Sequence, residues 1–202
     1  MFTVFRNAWK IQDLRKKILY TIFIIVIFRI GCVIPVPFID AAAFQASMSG
    51  SAGALDILNV ISGGSFKDAT LFALSITPYI NASIIINLLT VAIPALERLS
   101  KEGEAGRQKL NKITKIASLI LAFVLGIGYY LTLKANGGIV YRTGAAGWFT
   151  AITIVTVFAA GASLIMWLGD QINEKGIGNG ISMILFASIV SRGLDAIKAL
   201  IS

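Results

Sequence analysis

Apolar residues fall into five long runs separated by short polar stretches, at about 18–36, 69–93, 116–133, 148–169 and 177–191. A helix crosses the hydrocarbon core of a bilayer with about 20 mostly apolar residues. The pattern therefore predicts five spanning helices, the last being the shortest. The second run is unlike the others. Its centre, Leu74–Thr90, is uncharged but carries Pro78, Asn81, Ser83 and Asn87. Pro78 has no N–H to donate and crowds the carbonyl of Leu74, which predicts a kink or break at that point. Ile76 and Ile80 stand four residues apart, on one face of the chain beside the break. Amides at membrane depth need partners or a wet cavity. A broken helix survives there when it is buried in protein or lines a cavity. The stretch is read as cavity-lining.

The segments between the runs carry their own signals. Residues 38–68 are too polar to span, yet 53–62 place Leu55, Leu58 and Ile61 at helical spacing before Gly63-Gly64 ends the run. So short a helix suits a re-entrant position or the outer membrane surface. Residues 1–17 set Phe2, Val4, Phe5 and Trp9 among Arg6, Lys10, Arg15, Lys16 and Lys17. That is the pattern of a basic amphipathic helix on the inner face, or of a positively charged tail. Arg15-Lys16-Lys17 leads into an apolar run without a small-residue cleavage site, so an uncleaved anchor is expected. Arg29, the one charge of the first run, is either a site residue or snorkels to the interface near Pro35 and Pro37. Asn136-Gly137-Gly138 signals a turn, with room for a small outer hairpin. Gly176-Ile177-Gly178-Asn179-Gly180 superficially matches a dinucleotide fingerprint. No βαβ unit surrounds it, and a tight turn with close helix contact fits better.

Composition agrees with this reading. The chain is 56% hydrophobic and 14% charged, which excludes an ordinary soluble domain. The formal charge of +8 points to orientation rather than to nucleic acid, because the bases sit in alternate loops. Residues 1–17, Arg98–Lys115 and Lys175 fall on one side; Lys67, Lys134, Arg142, Arg192 and Lys198 fall on the other. The positive-inside rule makes the first side cytoplasmic, leaving the N-terminus inside and the C-terminus of the chain outside. There is one cysteine, Cys32, and no histidine, so no internal disulfide forms and the commonest metal ligand is missing. No catalytic, cofactor or metal constellation is visible. Every Asp and Glu lies outside the five runs, which weighs against a secondary transporter with a buried coupling carboxylate.

Several strings together resemble the N-terminal half of the SecY family of protein-conducting channels. They are Phe28-Arg29-Ile30-Gly31 with Ile34-Pro35-Val36-Pro37, Ile61-Ser62-Gly63-Gly64, and Ile76 through Thr90. They continue with Lys101-Glu102-Gly103-Glu104-Ala105-Gly106-Arg107, Met166-Trp167-Leu168-Gly169 and Gly176 through Ser182. The resemblance implies an all-α membrane protein of five transmembrane helices plus a short re-entrant plug helix, one half of an inverted-repeat channel. It implies a cytoplasmic N-terminus at 1–17 and a half-channel domain at 18–202. The plug would be Leu55, Asp56, Ile57, Leu58, Asn59, Val60 and Ile61. Ile76, Ile80 and Leu185 would belong to a constricting pore ring, Leu185 standing where the family often has isoleucine. Spans 2 and 3, with Ile84 and Asn87, would form one side of a lateral gate. The implied setting is the bacterial plasma membrane. The implied partners are a translocating polypeptide, the second half of the channel, the SecE and SecG subunits, and the SecA motor or a ribosome. An isolated half would alternatively be a non-conducting scaffold that self-associates around spans 2 and 5.

Overall fold

The structure, a computed structural model, describes residues 11–48, 59, 61–140 and 144–201, with side chains through Ser191. Its helices are α1 (Gln12–Gly31), α2 (Ala41–Met48), α3 (Thr77–Ala92), α4 (Pro94–Lys101), α5 (Glu104–Ala135), α6 (Gly144–Lys175) and α7 (Gly180–Ile201). Two isolated antiparallel bridges, Pro35 with Thr70 and Ile39 with Ile139, supplement them. Most of the expected plug, Leu55 to Leu58 and Val60, lies outside the described residues, as do 1–10 of the expected amphipathic N-terminus.

The buried core is mainly apolar, but it includes hydroxyl side chains, and many large apolar residues stay exposed. Thr21, Ser62, Ser65, Ser118, Thr150 and Ser188 are buried, while Phe23, Val33, Val91, Trp148 and Ile152 are each more than half exposed. Large apolar surface on that scale marks contact with lipid or protein. α5 and α6, of 32 residues each, are long and apolar enough to cross a membrane. At about 1.5 Å per residue each measures about 48 Å, more than a hydrocarbon core of about 30 Å, so their ends project or the helices tilt. They pack closely through Ala122, Ala159 and Ala162, small residues that let helix backbones approach in lipid.

Several boundaries differ from the sequence expectation, α5 and α6 among them, which extend beyond the expected 116–133 and 148–169. α1 takes Arg15, Lys16 and Lys17 into its own first turns and stops at Gly31, capped by Cys32. The chain beyond it, through Pro35 and Pro37, leaves the helix and pairs with a second irregular segment: Leu71 N–H donates to Ile34 O at 2.9 Å and Val36 N–H to Ala69 O at 3.3 Å. The second span is not a helix kinked at Pro78. Residues 71–76 form turns, and α3 begins at Thr77 with Pro78 in its first turn. Proline is at home there, because its missing N–H is one the first turn leaves unpaired anyway. A second break follows at Ile93, where α4 turns away from α3 by 101°. In the expected outer loop, Gly138 O accepts from Asp40 N–H at 2.9 Å and Val140 N–H donates to Phe38 O at 3.2 Å, while 141–143 lie outside the described residues. α7 starts at Gly180, three residues later than expected.

Candidate pore-lining site

The site is built where the start of α3 meets α1, α6 and α7. α3 has 16 residues, about 24 Å of helix, and does not cross the core alone. The irregular segment before it makes up the depth, and its backbone is supplied with local partners. Asn59 is buried; its Oδ1 accepts from Lys67 N–H at 3.1 Å and its carbonyl from Gly64 N–H at 2.8 Å. Ser62 Oγ accepts from Phe66 N–H at 3.0 Å. Phe66 then packs into an aromatic cluster with Phe44 and Tyr129, and the Tyr129 hydroxyl donates to the Phe66 carbonyl. Non-helical backbone at membrane depth persists only when satisfied in this way.

Ile76 stands at the N-cap of α3 and is buried in an apolar cluster with Phe28, Phe72, Leu168, Ile172 and Ile184. Ile80 and Leu185, both half-buried, pack against the same cluster. All three sequence-predicted ring residues thus belong to, or pack against, one apolar cluster. Ser75, at φ +50°, makes the turn into Ile76, and its hydroxyl donates to Ile61 O at 3.4 Å. Adjoining Ile80 is a cavity of about 280 Å³ lined also by Tyr79, Ser83, Ile84, Asn173, Asn179 and Ser182. Its wall is held by two asparagines. Asn173 Oδ1 accepts from Gly180 N–H at 2.7 Å, and Asn179 Oδ1 from Ile181 and Ser182 N–H at 3.1 and 3.2 Å, capping α7. A Cβ on Gly180 would lie 2.0 Å from the Gly169 carbonyl, so only glycine admits this turn between α6 and α7.

Ile84 and Asn87 are exposed on α3, on a face continued by Leu88 and Val91; neither contributes to the apolar cluster. α3 packs on α5, and a cavity of about 300 Å³ opens between them, lined by Phe66, Leu74, Thr77, Leu125, Gly128 and Tyr129. Sequence reasoning missed the role of Ser75 and the ion pair between Lys115 Nζ and Asp170 at 2.6 Å, which joins α5 to α6. Among the described residues no group of His, Cys, Asp and Glu is arranged to hold a metal.

Fold and site together define a multi-pass α-helical membrane protein whose irregular backbone and polar cavity lie within its helices. The chain belongs to the SecY family, whose family description matches residues 70–202. It is 42% identical over 194 residues to the protein translocase subunit SecY of Bacillus subtilis (strain 168), covering 95% of this chain and 44% of that protein. It is 44% identical over 183 residues to the SecY subunit of Buchnera aphidicola subsp. Acyrthosiphon kondoi, covering 89% of this chain and 51% of that protein. The chain spans about half the length of the curated relatives it matches and corresponds to their N-terminal half. Two solved structures share the fold at TM-score 0.59 and 21% identity, each covering 86% of this chain and 36% of the other. One is described as the structure of a protein conducting channel, the other as Sec61 in the canine ribosome–channel complex from the endoplasmic reticulum. The family is one of channel subunits, not of enzymes.

Proposed function

We propose that this chain is half of a channel that threads unfolded polypeptide across the bacterial plasma membrane and releases apolar segments sideways into lipid. The observation that carries the reading is the meeting of Ile76, Ile80 and Leu185 at one apolar cluster, next to the cavity lined by Ser83, Asn173, Asn179 and Ser182. A ring of branched aliphatic side chains offers nothing to replace an ion's hydration shell. It dewets and seals against small solutes, yet yields to an extended chain. Polar lining beside it keeps a passing backbone hydrated up to the ring.

Sideways release follows from transfer free energies. Apolar residues gain about 0.3–0.6 kcal/mol each at the bilayer centre and charged ones lose about 2.5–3.5, so a run of about 20 apolar residues leaves through the α3–α5 side, beside Ile84 and Asn87, while polar chain passes on. Asn59 and Ile61 end the plug in this reading, which closes the ring from outside. No bond is made or broken, so the energy comes from a motor such as SecA or from a translating ribosome. SecE, SecG and the second half of the channel complete the assembly, with the N-terminus in the cytoplasm.

A second reading, a non-conducting scaffold that self-associates, draws on the exposed row Ile84, Leu88 and Val91 of α3. Crosslinking a stalled translocating substrate to position 80 separates the two, since a scaffold gives no adduct. The direct test is resting ion conductance of the assembled channel with Ile76 and Ile80 changed to Gly or Ser. The leak rises if these residues form the seal; an unchanged leak refutes the assignment.

A further inference from the structure

Arg29 is the one charge in the first apolar run, and the pore reading gives it no task. It lies half-buried in the last turn of α1. Among the described residues it makes no ion pair. Its Nη2 reaches across to α7 and donates to Ala187 O at 3.4 Å. On its other side lies Gly63, at φ +65°, where a Cβ would come within 3.2 Å of Nη1 and 3.4 Å of the Ser188 backbone. The Cys32 thiol lies against both Arg29 and Ser65. The guanidinium is wedged between α1, α7 and the turn 61–65.

That turn is not isolated from the ring. Ile61 O accepts from the Ser75 hydroxyl, and Ser75 adjoins Ile76. Ala187 and Ser188 lie within one turn of Leu185. A continuous chain of contacts therefore runs from one ring residue to another through Arg29. We propose that Arg29 is a positioning residue of the pore: its guanidinium holds the turn Ile61–Ser65 against α7, so that the segment leading to Ile76 and the helix carrying Leu185 stay in register. This rests on the pore reading above. The planar guanidinium donates to α7 through Nη2 while Nη1 lies against Gly63 of the turn, a breadth that a lysine ammonium does not match.

The test is hydrogen exchange on the assembled channel in lipid nanodiscs, with Arg29→Met, which keeps length and loses every donor. The amides to follow are Gly64 and Ser65, bonded to Asn59 O and Ser62 O, and Phe66, bonded to Ser62 Oγ. Their exchange rises about tenfold, as expected when one charge-assisted hydrogen bond no longer opposes local opening, while amides of α5 and α6 are unchanged. Equal acceleration throughout would mean a merely structural role and overturns the proposal, as does unchanged exchange at Gly64–Phe66. If Arg29→Met fails to fold, Arg29→Lys is read in the same way, with an effect of about threefold from loss of the fork alone. Resting conductance is recorded alongside, with the Ile76→Gly, Ile80→Gly double variant as control. Arg29→Met raises the leak if the turn positions the ring. A leaking control with a silent Arg29→Met overturns only the role of Arg29; a silent control shows that the ring reading itself has failed.

Discussion

Gly161 on α6 offers the cleanest test of how the irregular segment is seated. A Cβ built there would stand 2.0 Å from the Leu71 carbonyl oxygen and 3.1 Å from its carbon, against the 3.4 Å at which ordinary contact begins. Gly161→Ala must therefore push the Leu71 backbone more than an ångström away from α6. Leu71 is not free to yield, because its N–H is bonded to Ile34 O at 2.9 Å. Overpacking of this kind costs about 1–3 kcal/mol. Alanine also returns about 1 kcal/mol of helix propensity, so the bare substitution underestimates the clash. Gly128 on α5 supplies the correction: nothing lies within 4 Å of a Cβ there, and Gly128→Ala receives the propensity gain alone. The two variants should differ by about 1–3 kcal/mol. At about 2–4 °C per kcal/mol for a chain of this size, that is a gap of about 2–12 °C in Tm. Both are melted in the same nanodiscs with tryptophan fluorescence as the probe. Variants that melt within a degree of each other would refute the close seating of Leu71 on Gly161.

Other consequences are smaller. Asn179→Ala removes the cap of α7 and costs about 1 kcal/mol, whereas Asn179→Asp or Ser keeps it; exchange at the Ile181 and Ser182 amides reads the difference. The Lys115–Asp170 pair is short at 2.6 Å, but its side chains are 45% and 30% exposed. A double-mutant cycle with Lys115→Met and Asp170→Asn should return a coupling below about 1 kcal/mol that shrinks with added salt. A larger, salt-insensitive coupling would place the pair out of reach of water.

What the sequence made legible follows from the range of the interactions involved. α5 and α6 were plain in their run lengths, which no distant contact alters. The turn between α6 and α7 was legible too, because Gly176, Gly178 and Gly180 announce a close approach that Gly169 and Gly180 then realise. Pro78 was legible as an interruption but not as a beginning. A proline in the interior and one in the first turn look alike until the partners of the preceding backbone are known, and Leu71 finds its partner at Ile34. Arg29 showed its depth and hid its direction, since Ala187 is a long way along the chain. Lys115 and Asp170 lay outside the predicted spans, and only the packing of α5 on α6 joins them. The Asn59 and Ser62 side chains marked 38–68 as too polar to span. Their polarity serves the turn itself, by satisfying the backbone that the helix does not.

The place where α3 begins decides what the ring can be. A continuous helix through residues 69–93 would satisfy its own backbone and display Ile76 and Ile80 as two of many apolar positions on a lipid-facing rod. Starting the helix at Thr77 makes Ile76 its cap and Ile80 its first-turn residue, both beside a segment whose conformation depends on tertiary hydrogen bonds. Those bonds come from the segment after α1 through Ile34, from the turn through Ser62 and Asn59, and from Ser75 through Ile61. The placement of Ile76 and Ile80 is thereby tied to hydrogen bonds with separate elements of the chain, which a continuous helix would not require. Converting Ser75, at φ +50°, to Gly removes the left-handed strain and the hydroxyl together. The relief is local, whereas the lost bond to Ile61 frees the ring segment from the turn. Ser75→Gly therefore loosens the proposed seal rather than tightening it, seen as a raised resting leak.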